Sequence, residues 1–164
     1  MNRRPTGVVR ATPEGGRELA LTRTFAASAE EVWASVTEPE RLARWYGTYE
    51  GEPGPGKVVQ LTMTAEAGAP CSPALILECE PPRLLALRLG DSDPGWRVTI
   101  TIEPRGDTAE LIFVHVIDDG VDPADVGPGW EYYLDRLAAA EQGRPQAEWD
   151  DTYLVMSDHY RSPG

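Results

Sequence analysis

PGWEYYLDRLAAAEQG, residues 128–143, is the stretch from which the fold of this chain can be deduced. Its apolar side chains lie at i, i+3, i+4, i+7 and i+8, which is the spacing of one stripe on an amphipathic helix. Pro128 suits a first helical position, and Gly143 followed by Pro145 predicts where the helix ends. A helix with one apolar stripe needs a second layer, and the sequence upstream predicts strands that provide it.

In the predicted strands, apolar and polar residues alternate with the period of two that is typical of half-buried strands. Short turns join most of them, so the strands are expected to be antiparallel. Turn clusters are predicted at residues 50–56, 81–83, 90–95 and 104–107, and residues 65–73 are predicted to be a loop. The predicted inward rows are Leu19, Leu21 and Phe25; Val59, Leu61 and Met63; Leu75, Leu77 and Cys79; Leu85, Leu87 and Leu89; Trp96, Val98, Ile100 and Ile102; and Leu111, Phe113, His115 and Ile117.

Two short helices are predicted after the first strand. Ser28 and Glu31 have the spacing of a capping box, in which the serine hydroxyl accepts from an early helical amide. This helix should end near Thr37, because Pro39 disfavours helical geometry in the residue before it. Pro39 then begins a second helix over Glu40–Tyr46. The predicted fold class is α+β: a curved antiparallel sheet of about six to seven strands wrapped around a long C-terminal helix.

The chain of 164 residues fits one domain, predicted to span residues 17–143. Residues 1–16 carry turn formers and are expected to form a loose arm. Residues 144–164 hold too many apolar side chains for a plain disordered tail, so this tail is expected to dock on its own domain or on a partner chain. The start is basic and the end acidic. The two ends are therefore expected to lie near each other or to pair across a homodimer.

Composition excludes several classes of function. The net charge of −12 argues against nucleic acid, whose phosphates would be repelled. No apolar run approaches the roughly 18 residues of a membrane span, and the N-terminus lacks the apolar region of a signal peptide. We therefore expect a cytoplasmic protein. Cys71 and Cys79 are expected to be reduced thiols, and they lack metal-ligand spacing with either histidine. We predict no metal and no cofactor.

A few side chains are candidates for chemistry or binding. His115 lies on an inward row, where it is either a partly buried structural histidine or a general base. A general base would need a neighbouring carboxylate to orient its ring. His159 is in the tail and is expected to face solvent. Aromatic residues from the helix pair, one strand and the long helix are expected to converge beside a cavity or to form plain core. The candidate cavity residues are Trp45, Tyr46, Met63, Leu77, Leu87, Trp96, Val98, Ile100, Phe113, His115, Trp130, Tyr133, Leu134 and Leu137.

Four runs of sequence, in this order and spacing, resemble one known superfamily. They are LTRTFAASAEEVWASVTEPERLARWYG (residues 21–47), GKVVQL (56–61), LECEPPRLLAL (77–87) and GWEYYLDRLAAA (129–140). The resemblance is to the START and birch-pollen-allergen superfamily with its helix-grip (SRPBCC) fold. Within it, the chain is similar to bacterial relatives of the C-terminal domain of the heat-shock-protein-ninety ATPase activator. The resemblance covers roughly residues 18–142, and the tail after Gly143 has no counterpart in the family pattern.

The resemblance implies a cavity between sheet and helix, used by different members for lipids, hormones, polyketides or partners. It implies no catalytic residue, since no shared catalytic motif maps onto this chain. The activator's co-chaperone role needs other parts of that protein and is not carried over. The first hypothesis is therefore non-enzymatic binding of a small apolar or aromatic molecule. The alternatives are a cyclase or dehydratase that uses His115, and a protein-interaction or dimerising module that uses the tail.

Overall fold

The computed structural model describes residues 5–64, 68–90, 96–118, 122–145, 148–149 and 151–161. The strands are β1 (Val8–Ala11), β2 (Arg17–Phe25), β3 (Thr48–Glu50), β4 (Val58–Thr62), β5 (Cys71–Glu80), β6 (Leu84–Leu89), β7 (Trp96–Arg105) and β8 (Thr108–Ile117). The helices are α1 (Ala29–Thr37), α2 (Pro39–Leu42), α3 (Pro123–Gln142), α4 (Asp151–Leu154) and α5 (Ser157–Arg161).

The strands form one curved antiparallel sheet in the order β1-β2-β8-β7-β6-β5-β4-β3. The inner face of this sheet and α3 share a single hydrophobic core, to which α1 and α2 also contribute. The predicted fold class, a helix-grip fold of the α+β type, is confirmed. The sheet has eight strands where six to seven were expected. The two additional strands, β1 and β3, are only four and three residues long, too short to show an alternating pattern.

The register of β8 follows its sequence pattern. Leu111, Phe113, His115 and Ile117 are all buried on the inner face, as the alternation predicts. Residues 81–83 make the predicted tight connection between β5 and β6. The predicted turn over residues 90–95 lies, from residue 91 onward, outside the described residues. The loop predicted over residues 65–73 ends early, because β5 begins at Cys71; residues 65–67 are outside the described part.

The predicted inward row of β5 is wrong. Ala74 and Ile76 are buried, whereas Leu77 is 43% exposed. The pairing of β5 with β6 shifts between Ile76 and Glu78, so that Leu77 is the extra residue of a β-bulge. A bulge moves the side chains that follow it to the opposite face of the sheet, and Cys79 returns to the inner side.

The helix pair matches its sequence signals at the start and departs from them at the end. The Ser28 hydroxyl accepts the amide of Glu31 at 3.2 Å, as the capping box predicts. Helix α1 ends at Thr37, as expected. Helix α2 ends at Leu42, although the prediction extended it to Tyr46, because Thr48 is already paired with β4. The chain has to leave the helix in time to enter the sheet.

Helix α3 is longer at its N-terminus than predicted. It begins at Pro123 after Asp122, whose side chain accepts the amide of Ala124 at 2.9 Å. Pro123 is thus the proline of the first turn, and Pro128 lies inside the helix, so the prediction of Pro128 as the first helical position is wrong. The predicted end is confirmed: Gly143 caps α3 with a left-handed φ of 66°, a conformation that glycine adopts without strain.

Both terminal segments pack on the domain. The expectation of a loose arm is wrong for Val8–Ala11, which pairs with β2 as β1. The tail packs on α3 through Tyr153, Met156 and Tyr160, which are all buried. The two ends meet, which is one of the two arrangements that the charge distribution predicts: within the described residues, the amide of Gly7 donates to the hydroxyl of Tyr160 at 3.1 Å. The boundaries of the domain at 17 and 143 stay predictions.

Candidate functional site

An apolar cavity of about 80 Å³ lies between the inner face of the sheet, the α1–α2 pair and α3. Its wall is made by α1, α2 and the residues just after α2, by strands β4, β6, β7 and β8, and by one face of α3. The lining residues are Val36, Leu42, Trp45, Tyr46, Leu61, Leu85, Leu87, Leu89, Val98, Ile100, Leu111, Phe113, Trp130, Tyr133, Leu134 and Leu137.

The turn after α2 directs two aromatic side chains into this cavity. The carbonyl of Leu42 accepts the amides of Trp45, Tyr46 and Gly47 at 3.2, 2.9 and 3.2 Å. The turn then passes so close to β4 that a Cβ on Gly47 would lie 1.9 Å from the carbonyl oxygen of Thr62. Only glycine fits there, and the close passage of the backbone fixes the position of both aromatic residues.

Side-chain contacts then hold Trp45 and Tyr46 in place. The Trp45 indole donates to the carbonyl of Ser35 at 2.8 Å, which satisfies a buried N–H. Arg136 on α3 donates through Nε to the carbonyl of Trp45 at 2.9 Å. The ring of Tyr46 lies 4.6 Å from that of Tyr133, a tilted aromatic contact across the cavity. The helix pair and α3 are therefore connected beside the cavity by one hydrogen bond and one ring contact.

Ten of the fourteen predicted cavity residues line the cavity, and four do not. Met63 is partly buried against the core just after β4. Leu77 is exposed at the bulge, Trp96 is 43% exposed, and His115 is buried beside the cavity without lining it. Whether the lining residues bind a ligand stays a prediction. The ten that line it are Trp45, Tyr46, Leu87, Val98, Ile100, Phe113, Trp130, Tyr133, Leu134 and Leu137.

Six lining residues were missing from the prediction. Four of these belong to the inward rows of the strand pattern, so the alternation that placed their neighbours contained the signal for them as well. The other two come from the helix pair, whose orientation toward the sheet has no signal in the local sequence. These residues are Leu61, Leu85, Leu89 and Leu111 on the strands, and Val36 and Leu42 on the helices.

His115 is buried next to the cavity and bonded to its wall. Its Nδ1 accepts the indole N–H of Trp130 at 3.0 Å, so the proton of the neutral ring belongs on Nε2. The exposed ring of Trp96 covers the imidazole, with the ring centres 5.1 Å apart. Burial lowers the pKa of His115 to about 4, against the opposing effect of the Asp118 charge. The ring is therefore neutral at physiological pH.

A second polar centre, absent from the prediction, surrounds Glu131, on a face of α3 that does not line the cavity. Glu131 is 1% exposed, and five donors surround its carboxylate. Thr6 donates its amide at 2.5 Å and its hydroxyl at 2.7 Å, the amide of Gly7 lies at 3.2 Å and Nη2 of Arg23 at 3.0 Å. The hydroxyl of Tyr160 completes the set. No local pattern marks this glutamate, because its donors come from distant segments.

The chemistry of this centre follows from its donors. Burial alone would raise the pKa of Glu131, but hydrogen bonds from Tyr160, Thr6 and Arg23 outweigh burial and lower it below its usual value. Burial and the neighbouring carboxylate raise the pKa of Tyr160 well above its usual range. Glu131 is therefore a paired carboxylate beside a neutral phenol. Such a centre stabilises the structure and is poorly suited to accept or release protons near neutral pH.

A third polar contact closes the other end of α3. Glu141, on the last turn, accepts the hydroxyl of Ser35 on α1 and forms an ion pair with Arg41 of α2 at 3.3 Å. Ser35 is 4% exposed. The α1–α2 pair, which carries part of the cavity wall, is thereby joined to α3.

Within the described ranges, no three His, Cys, Asp or Glu side chains come together in a group that could hold a metal ion. In the same part of the chain, no helix combines the length and the apolar character needed to cross a membrane.

The family comparison supports the same architecture. The model of the activator of Hsp90 ATPase homolog 1-like proteins matches residues 26–141, which is more than half of the chain. The chain belongs to this family. The predicted resemblance to the activator branch of the SRPBCC superfamily is thus confirmed. The matched segment contains every lining residue of the cavity, since these run from Val36 to Leu137.

Solved structures of other proteins share the fold of this member of the activator-homolog family. CalU16 from Micromonospora echinospora is 25% identical, with a TM-score of 0.74 over 94% of this chain and 93% of that one. CV1439 from Chromobacterium violaceum is 26% identical, with a TM-score of 0.60 over 74% and 94% of the two chains. A Bordetella parapertussis protein, at 22% identity, has a TM-score of 0.73 over 98% and 93%. Among curated proteins, none matches the sequence.

The structural matches extend beyond the segment that defines the family. The family model stops at residue 141, before the tail. The match with the Bordetella protein covers 98% of this chain and therefore includes most of both terminal segments. The fold match thus extends past residue 141 into the tail, where the sequence pattern of the family has ended.

Proposed function

We propose that this protein binds a small, uncharged apolar or aromatic molecule, without catalysis, in the cavity between sheet and α3. The observation that carries the proposal is the lining itself, in which aromatic rings from the turn after α2, from β8 and from α3 surround a volume of about 80 Å³. Apolar pockets with a few polar groups at the edge are typical small-molecule sites. The family's fold is a ligand-binding fold, which supports the same function.

The lining selects against charge. Among the described residues, those that line the cavity include no Asp, Glu, Lys or Arg, so a charged ligand would lose its hydration without gaining a partner. Its polar atoms belong to the indoles of Trp45 and Trp130 and to the hydroxyls of Tyr46 and Tyr133. These indole N–H groups already donate to Ser35 and His115. Contact with the apolar lining, eleven aliphatic and five aromatic side chains, is therefore the main source of affinity.

A cyclase or dehydratase reaction in this cavity has less support. It would require His115 as an acid or base with a carboxylate or a tyrosine hydroxyl to orient it. The hydrogen-bond partner of His115 within the described residues is the indole of Trp130, and the imidazole, with its pKa of about 4, does not line the cavity. In the tail, Tyr153, Met156 and Tyr160 are already buried on the same chain. A dimer through the tail would therefore rest on the exposed side chains of Trp149, Leu154 and Val155.

Binding is tested with a panel of uncharged ligands that includes benzene, indole and N-phenyl-1-naphthylamine, measured by native mass spectrometry, thermal shift and probe fluorescence. We expect saturable one-to-one binding of at least one aromatic compound. A Leu87→Phe variant, which fills the cavity, should weaken this binding at least tenfold. Leu77→Phe is the matched control, since Leu77 is exposed outside the cavity, and it should bind like the wild type.

Two results would overturn the proposal. One is a panel in which no compound binds or shifts the melting temperature. The other is binding that Leu87→Phe leaves unchanged while circular dichroism shows both variants to be folded, because the ligand would then occupy a different site.

A further inference from the structure

Tyr160 of α5 occupies a slot between two glycines. A Cβ on Gly127 of α3 would lie 2.4 Å from the Tyr160 ring, and a Cβ on Gly7 would lie 2.3 Å from its hydroxyl. Any larger residue at either position would push the ring out. Tyr160 itself is 3% exposed, so the slot encloses it almost completely.

Hydrogen bonds hold Tyr160 and residues 6–7 against α3. The Tyr160 hydroxyl donates to Glu131 and accepts the amide of Gly7 at 3.1 Å. His159 Nε2 lies 2.9 Å from the carbonyl of Gly7, and Thr6 donates twice to Glu131. Residues 5–7 and 151–161 thus meet over a single turn of α3. We refer to these two segments together as the terminal clasp.

The clasp lies directly behind the cavity wall. Glu131 follows Trp130 and is two residues before Tyr133, and both of these aromatic residues line the cavity. Tyr132 connects the two sides, since its ring lies 5.3 Å from that of Tyr153 in the clasp and 5.4 Å from that of Tyr133. The backbone of α3 approaches α5 more extensively than it approaches any strand. The position of α3 therefore depends on the clasp as well as on the sheet.

The cavity is small for an aromatic ligand. Its volume of about 80 Å³ is roughly half of the ~150 Å³ that holds benzene in an engineered apolar cavity. Close-packed interiors respond to a ligand by moving whole elements and not by gradual stretching. The sheet is held by pairing on both sides along most of its strands. Helix α3 is the remaining wall. Arg23 of β2 pairs with Glu131 and Asp135, and Glu141 pairs with Arg41, so the helix as a whole stays attached. Its segment around Glu131 can shift when the clasp opens.

We propose that the terminal clasp is a gate that limits the size of the cavity: release of Tyr160 from its slot lets the α3 segment around Trp130–Leu134 move away from the sheet and admits an aromatic ligand too large for the volume of about 80 Å³. This inference rests on the proposed binding function. The closed clasp keeps the cavity small, and a ligand larger than this volume binds only after the clasp opens, so the binding rate of such a ligand reports the stability of the clasp.

The test compares two glycine-to-alanine changes in the same helix. Gly127→Ala drives the added methyl group into Tyr160, whereas Gly129→Ala meets no atom within 4 Å and serves as the matched control. The association rate of N-phenyl-1-naphthylamine is measured by stopped-flow fluorescence. We expect Gly127→Ala to accelerate entry about tenfold or more, and Gly129→Ala to stay within twofold of the wild type. Tyr160→Phe, which removes only the hydroxyl bonded to Glu131, should accelerate entry several-fold.

Equal entry rates in the wild type, Gly127→Ala and Tyr160→Phe would overturn the gate, even if the probe binds. If no variant binds the probe or any other compound, the binding function fails, and hydrogen exchange then tests the gate separately. Amides of residues 130–134 should exchange about tenfold faster in Tyr160→Phe than in Gly129→Ala. Equal exchange rates of these amides in Tyr160→Phe and Gly129→Ala would show that the clasp does not control α3.

Discussion

His115 is expected to make this protein sensitive to mild acid. Its imidazole is 1% exposed and accepts the indole N–H of Trp130 through Nδ1. Protonation would place a charge in the core and turn Nδ1 into a donor, so the hydrogen bond would be lost. Burial lowers the folded-state pKa of His115 to about 4, from 6.5. A group with a lowered folded pKa stabilises the fold above its unfolded pKa, and this stabilisation is lost as the pH falls toward the folded pKa.

The loss in the free energy of unfolding follows from the folded and unfolded pKa values of His115. A difference between about 4 and 6.5 corresponds to about 3 kcal/mol in total, since one pKa unit is worth about 1.4 kcal/mol. Between pH 7 and pH 5 the unfolded histidine becomes mostly charged while the folded one stays mostly neutral. About 2 kcal/mol of the free energy of unfolding should be lost in this interval. Glu131 contributes little here, because its lowered pKa moves its own loss of stability below pH 4.5.

The assay is urea unfolding of the wild type and of His115→Gln at pH 7, 6 and 5, followed by circular dichroism. Glutamine keeps an acceptor for Trp130 and does not titrate, so the wild type should lose about 2 kcal/mol more than the variant on acidification. His115→Gln can be less stable at pH 7 without affecting this comparison, which uses only the slope. Parallel slopes for the two proteins would refute the argument, since His115 would then have the same affinity for protons in the folded and unfolded states.

Two further pairs of variants test the packing by chemical denaturation. Alanine at a helical glycine normally stabilises by about 1 kcal/mol, and Gly129→Ala should do so because open space surrounds the site. Gly127→Ala should instead destabilise by about 2 kcal/mol, since the displaced Tyr160 loses a hydrogen bond to a charged group; a stabilised Gly127→Ala would show that the slot is not filled. On β5, Ile76→Ala should cost about 2–4 kcal/mol and Leu77→Ala less than about 0.5 kcal/mol, because only Ile76 is buried. Equal costs would contradict the bulge.

The sequence predicted the parts of the fold that depend on local periodicity. The alternation through Leu111 to Ile117 placed β8 and its buried row correctly, and the Ser28 cap and Gly143 located two helix ends. Its failures occurred where a distant partner decides the local structure. The bulge at Leu77 depends on the register with β6, and strand β1 exists because β2 offers a free edge.

The same distinction between local pattern and distant partner applies to the candidate site. Lining residues on strands could be deduced from their rows, because the inner face of a sheet that covers a helix must border any cavity between them. The polar contacts could not be deduced. Burial of Glu131 depends on Thr6, Arg23 and Tyr160, which are separated from it by 125, 108 and 29 residues. No pattern within one element records such a meeting of donors.

The burial of α3 shows why a single apolar stripe was an incomplete description. Trp130, Glu131, Tyr132, Tyr133 and Leu134 are consecutive and all buried. Successive residues of a helix point about 100° apart, so five in a row cannot face one sheet. The helix is enclosed on both sides here, and the second cover has to come from outside the sheet, which is where the terminal clasp lies. A buried carboxylate on that outer face is tolerated only while its donors are in place. The same contacts that bury Glu131 therefore decide whether α3 is held against the cavity.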